Sequence, residues 1–282
     1  DTPTDLGFLQ ILESLKLNVV SIAIDPNHGL EHEHLVSVIE QSTSENIVIK
    51  ACLLQANFQN PTGCSIKASA RSKILETFYQ HKIIVIEDDT FGELPHDLTE
   101  RRPPPLKAKD KHNNVILCSS LSKLISPGLR IGFINGACLH EQIQTLNHAT
   151  SIGCAELTQH IMSHIYPRKF KTILEKLCDD YKNNANVVRG LILKHFPSGT
   201  STTVFHGGYL LWVTLPAHID ANRLFDQALA QYGISFAPGS IFSLTLEHQN
   251  ALRINCSSFG KAYDEIDIEH LGALAHSFHQ FT

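Results

Sequence analysis

Residues 113–133 read NNVILCSSLSKLISPGLRIGF. The apolar run Val115-Ile116-Leu117 gives way to Ser119, Ser120 and Ser122 around a single lysine, Lys123. A Pro127-Gly128 turn then leads to Arg130 and a second apolar run. Val and Ile suit a pleated backbone, so the segment predicts a strand ending in a polar turn. A solvated lysine needs no crowd of hydroxyls, so the setting points to a ligand.

Two other runs share this design. VIKACLLQ (48–55) leads to Asn57-Phe58-Gln59-Asn60-Pro61-Thr62-Gly63, and KIIVIEDD (82–89) ends in Glu87-Asp88-Asp89. KIIVIEDD and NNVILCSS (113–120) are short, β-branched and apolar, which predicts strands buried on both faces. Helical patterns alternate with these runs, EHEHLVSVIEQST (31–43) before VIKACLLQ and, before KIIVIEDD, Lys67 to Tyr79, where Ile74, Leu75 and Phe78 share one face. NVVSIAID (18–25) predicts a further strand. Such alternation implies an α/β domain with a mostly parallel sheet. Parallel strands would bring the three polar clusters to one edge, where open α/β sheets bind ligands. That ligand would meet an amide, a carboxylate, hydroxyls and an amine.

The pattern changes after about residue 165. KTILEKLCDDYKNNANVVRGLILKHF (171–196) predicts one long helix, followed by short strands in TTVFHGGYLLWVTLP, ISFAPGSIF and ALRINCSS. The expected division is a large domain over 1–165 and a smaller α+β domain over 166–282, with Trp212 in the core of the latter.

Composition bounds the function. The chain has 282 residues, 43% hydrophobic and 18% charged, enough for a large core. Its 23 basic and 28 acidic residues argue against this segment gripping nucleic acid by itself. No apolar run approaches the ~20 residues of a membrane helix. Seven cysteines without a C-x-x-C pair fit reduced thiols and a cytoplasmic location. His160 and His164 share a helical face, but no third ligand lies near in sequence, so no metal site is expected. Met162 is the only methionine and the chain opens at Asp1, so a longer parent protein is expected.

NFQNPTG, VIEDDTFGEL, SSLSKLISPGLRIGF, HGGYLLWVTLP, APGSIFS and LRINCS occur in this order. Together they resemble the fold-type I pyridoxal-phosphate (PLP) enzymes of aminotransferase class I/II, and most of all the aminotransferase-like domains of MocR/GntR-type transcription regulators. The resemblance covers nearly the whole chain. It implies a three-layer αβα large domain, incomplete here, with a smaller α+β C-terminal domain. It also implies that Lys123 holds PLP as a Schiff base, which needs a neutral amine of the kind that burial and a nearby cation favour. Ser120, Ser122 and Arg130 would bind the phosphate. Asp88, with Asp89 as its rival, would pair with the protonated pyridine nitrogen. Asn60 would bond the phenolic oxygen and help to bind substrate, and Arg253 would clamp a carboxylate.

Two residues depart from the family pattern. Phe91 stands where a tyrosine hydroxyl commonly bonds the phenolic oxygen. Asp5 stands where an aromatic ring covers the cofactor, and an anion there cannot stack. The family's phosphate loop, first strand and, in the regulators, a winged helix-turn-helix would precede residue 1. The expectation is therefore weak PLP binding by this piece, homodimerisation, an amino-acid or amine ligand, and contact with DNA only through an upstream domain. The leading reading is the effector-sensing part of a regulator. The alternatives are a free-standing aminotransferase and a decayed, non-catalytic scaffold.

Overall fold

The computed structural model describes residues 1–99, 102–204 and 206–278. Its first sheet has the order β1-β2-β3-β4. Strands β1 (Ala51–Leu54), β2 (Ile84–Asp88) and β3 (Val115–Ser120) are parallel, and β4 (Gly132–Asn135) runs antiparallel to β3. Leu54 pairs with Glu87 and Asp88 with Cys118, so the carboxyl ends of the parallel strands finish side by side. The three polar clusters share that edge.

Helix α1 (Leu6–Ser14) starts at Asp5, whose carboxylate accepts the Gly7 N–H at 2.7 Å and so satisfies one of the free donors of the first turn. Helices α2 (His32–Ser44) and α3 (Arg71–Gln80) cover one face of the sheet. Leu35 and Ile39, one turn apart on α2, and Ile74, Leu75 and Phe78 on α3 pack with Cys52, Leu54, Val85 and Val115. Each such side chain removed from water contributes about 1.5–3 kcal/mol.

Two expectations change here. Strand β2 is not buried on both faces: Val85 and Glu87 are buried, while Ile84, Ile86 and Asp88 on the opposite face are half-buried. Residues 18–25 do not form a strand of the sheet. Ile22 and Ile24 point into the core, but the segment pairs only at isolated bridges, Ala23 with Thr2 and Asp25 with Gly29. Extended backbone becomes a strand only with a partner ladder, and this run has a single residue's worth on that side.

Beyond α4 (His140–Ser151), α5 runs unbroken from Glu156 to His195. It passes through the expected division at 165/166 and carries Pro167 within it. Its C-terminal part packs on a second sheet of β5 (Ser201–Thr202), β6 (Leu210–Thr214), β7 (Ala237–Pro238) and β8 (Ala251–Asn255), in the order β5-β6-β8-β7 and antiparallel. Helices α6 (Ala221–Tyr232) and α7 (Glu265–His276) complete that layer. Val188 and Ile192 of α5 meet Leu211, Val213, Leu252, Leu224 and Leu271 there. On the other face Trp212 is buried edge-on against Phe242, with ring centroids 5.8 Å apart.

Backbone bonds join the loop after β2 to the loop before β6. His96 N–H donates to the His206 carbonyl at 2.7 Å, and Gly208 N–H donates to the Leu94 carbonyl at 2.7 Å. This crossing needs a glycine at 207, because a Cβ there would overlap the Phe58 ring and the Leu94 carbonyl. All seven cysteines are free. Among the described residues, no helix is long and apolar enough to cross a membrane.

Candidate active site

Gln55, the first residue after β1, organises the edge. Its Nε2 donates to Asp88 Oδ2 at 2.5 Å, and its Oε1 accepts the Asn60 N–H at 2.8 Å. The other Asp88 oxygen accepts the Thr90 N–H at 3.0 Å and the Thr90 hydroxyl. Both carboxylate oxygens are therefore held. Burial raises the Asp88 pKa, the bonds from Thr90 and Gln55 oppose this, and the charge of Asp5 adds to the rise.

Asn60 carries the connection to the second sheet. Its Oδ1 accepts from Arg253 Nη1 at 2.8 Å, and its Nδ2 donates to Asp5 Oδ2. Arg253 lies on β8 opposite Trp212 of β6, with its guanidinium 4.9 Å from the Phe242 ring centroid. Its Nε is buried without a hydrogen-bond partner among the described residues. Burial lowers the Arg253 pKa, and the Asp5 charge opposes that. One chain of bonds thus links Asp88, Gln55, Asn60 and Arg253, with Asp5 attached at Asn60.

The lysine side of the edge is built differently. Ser122 N–H donates to Ser120 Oγ at 3.1 Å, and Arg130 Nη1 reaches Ser122 Oγ at 3.3 Å and the Pro127 carbonyl at 3.4 Å. Arg130 has φ 49°, the left-handed conformation that closes the turn behind it. Lys123 is exposed, so the burial expected to favour its neutral amine is not supplied by the described residues.

Asp88 and Asp89 part company in the structure. Asp89 points inward, accepting from Asn57 Nδ2 at 2.9 Å and pairing with Arg102. Arg71, also buried, donates to Asn57 Oδ1 at 2.7 Å, to the Ala56 carbonyl at 3.1 Å and to the Pro104 carbonyl. These groups brace the loop that carries Asn60, which leaves Asp88 as the carboxylate facing the edge. Neighbouring Glu87 is fully buried and accepts the Leu106 and Lys107 N–H groups at 2.6 and 2.9 Å. Burial pushes its pKa up to about 7. Phe91 sits in an apolar cluster, edge-on to Tyr209 with centroids 5.3 Å apart. His160 and His164 lie side by side on α5, their ring centroids 4.8 Å apart.

Sequence reasoning missed Gln55 and Arg71. Gln55 could have been flagged as a polar residue directly ending a buried strand. Arg71 carries no signal beyond its place in the first turn of an amphipathic helix.

The profile of the family described as aminotransferase class I and II matches residues 1–270. The chain belongs to this family. As a class I/II aminotransferase-family chain it is 31% identical over 258 residues to the uncharacterized HTH-type transcriptional regulator YjiR of Escherichia coli, covering 91% of this chain and 53% of that protein. It is 29% identical to YdcR of the same organism, covering 97% and 57%, and 27% identical to aromatic-amino-acid aminotransferase 1 of Thermococcus litoralis, covering 90% and 61%. It therefore spans little more than half the length of these relatives. The aminotransferase-family fold also matches the solved structure of LysN, an α-aminoadipate aminotransferase of Thermus thermophilus complexed with N-(5'-phosphopyridoxyl)-L-leucine. The TM-score is 0.85 at 24% identity, over 98% of this chain and 70% of that one. The donor set at the edge fits PLP. A carboxylate is available for a ring nitrogen, an amide for a ring hydroxyl, two hydroxyls and a guanidinium for a phosphate, and an amine for an aldehyde.

Proposed function

We propose that this chain is the PLP-binding, effector-sensing part of a MocR/GntR-type transcription regulator, responding to an amino compound. The observation that carries the reading is the hydrogen-bond chain from Asp88 through Gln55 and Asn60 to Arg253, which joins the ligand edge of one sheet to the other. Similarity to YjiR and YdcR supports the regulatory half.

PLP, when bound, supplies an electron sink for the carbon that bears an amino group. Asp88, held at both oxygens, would keep a proton on the ring nitrogen. Ser120, Ser122 and Arg130 would bind the phosphate, and Lys123 would hold the cofactor covalently through Nζ. Asn60 would orient the ring, and Arg253 would meet the incoming ligand. A ligand competing for Asn60 or Arg253 loosens the bond between the sheets, which gives sensing a route out of the site. The reading includes a cytoplasmic homodimer that reaches DNA only through an upstream domain.

The test is the visible absorbance of the full-length parent protein with added PLP, beside Lys123→Ala. The expected result is a protein-bound band that disappears in the variant. If both proteins show only free PLP, the lysine role fails and the non-catalytic scaffold takes its place. Similarity to the Thermococcus litoralis enzyme favours a second reading, a free-standing aminotransferase in which Lys123 Nζ also moves the proton of the substrate α-carbon. Sustained amino transfer from an amino acid to a 2-oxo acid by the full-length protein would establish it.

A further inference from the structure

We propose that Asp5 is a specificity-determining residue, whose carboxylate occupies the Asn60–Arg253 pair and turns the site toward amines that lack an α-carboxylate. The ligand class rests on the PLP-site reading above, whereas the exclusion of carboxylates rests on Asp5 and its contacts alone.

Asp5 is held in place from several directions. Thr2 N–H donates to the Ile22 carbonyl at 2.8 Å, Gln59 Nε2 donates to the Pro3 carbonyl at 2.5 Å, and Thr4 N–H donates to the Phe242 carbonyl at 2.9 Å. The segment is thus pinned to the 18–25 run, to the loop after β1 and to the turn between β7 and β8. Asp5 Oδ1 is then fixed by the Gly7 N–H, which aims Oδ2 at Asn60 Nδ2. Both ends of the Asn60 amide are consequently used, one by a carboxylate and one by a guanidinium.

Charge sets the consequence. Arg253 is the half-buried cation of this group, and its ring contact with Phe242 holds the guanidinium in place. Asp5 and Asp88 are two carboxylates close enough to act on each other electrostatically. A ligand α-carboxylate would be a third anion against one half-buried guanidinium. It would have to share Asn60 Nδ2 with Asp5, and it would meet the repulsion of both acids at low effective dielectric. A ligand bringing only an amine meets no such repulsion and adds a cation beside two anions.

Trp212 provides the readout. It is the only tryptophan, it pairs with Arg253 across β6 and β8, and it packs on the Phe242 ring beneath the guanidinium. Acetate is titrated into the PLP-free chain while Trp212 fluorescence is followed. The wild type is compared with Asp5→Asn and Asp5→Ser, both of which keep an oxygen for the helix cap. The expected result is binding about tenfold tighter in both variants, equal to about 1.4 kcal/mol, with the gain abolished by adding Arg253→Met. Affinity equal to wild type in the variants, or a gain that survives Arg253→Met, overturns the proposal. With PLP-loaded protein, Asp5→Asn should raise the response to L-leucine relative to 3-methylbutylamine by about tenfold; an unchanged ratio also overturns it. Acetate needs no cofactor, so failure here is distinct from failure of the PLP reading, which shows in the absorbance of the Lys123→Ala pair.

Discussion

The two halves of the ligand edge are built by different means. On one side Asp88, Gln55, Asn60 and Arg253 bond to one another at 2.5 to 2.8 Å, in a partly buried setting that joins two sheets. On the other, Ser120, Ser122 and Arg130 contact one another at 3.1 to 3.3 Å in the turn after a single strand, and Arg130 and Lys123 are exposed. The contrast separates stability from binding. Side chains of the first half hold the tertiary structure together, so altering them should unsettle the fold as well as the site. Those of the second half answer to a local turn, so altering them should change ligand affinity alone.

The sharpest way to break this comparison is Arg71→Leu. The change strips partners from Asn57 and three carbonyls and leaves the nearby acids without their buried cation, for a loss of about 3–5 kcal/mol in chemical denaturation. A loss no larger than that of a surface substitution would show that the first half is not braced as described. Next in size is a pH effect at Glu87. Its carboxyl rises from an ordinary 4.5 to about 7 in the folded chain, so the folded state binds this proton more tightly than the unfolded one. The contribution to stability is complete below pH 4.5 and is lost as pH rises through about 7. It amounts to about 3 kcal/mol, and Glu87→Gln should flatten the slope of stability against pH across that window.

Gln55→Leu leaves an Asp88 oxygen and the Asn60 N–H without their partner, and is expected to cost about 1–3 kcal/mol. A shift in the denaturation midpoint without a change in slope would sharpen the assignment of Gln55 to the fold. Ser122→Ala should show the smallest stability effect, within about 0.5 kcal/mol. The same variant should weaken PLP binding in an equilibrium titration by about tenfold, the loss of one bond to a charged group. Destabilisation without loss of affinity would reverse the contrast between the halves.

Much of this layout is legible in the residues. Apolar runs mark β1, β2 and β3, and the 3.6-residue period marks α2 and α3, because burial on one face imposes its spacing on each element. Polar clusters after three such runs locate the edge, since a parallel sheet brings carboxyl ends together. Residues 18–25 show the limit of that reasoning. The alternation of Ile22 and Ile24 reports burial correctly, but pairing depends on what lies alongside, and a pattern local to one segment carries no record of its neighbour.

The sequence by itself thus determined which segments extend or coil and which polar groups stand at the edge. These follow from side-chain shape and hydrophobicity over a few residues. The tertiary structure decided that Asp89 pairs inward with Arg102 while Asp88 faces the edge, that Gln55 bridges strand ends 33 residues apart, and that Arg253 reaches Asn60 across 193 residues. It also brought Asp5 to the same amide, 55 residues away. Contacts at such separations follow the path of the whole chain, and a hydrogen bond requires its two partners to arrive within a few tenths of an ångström.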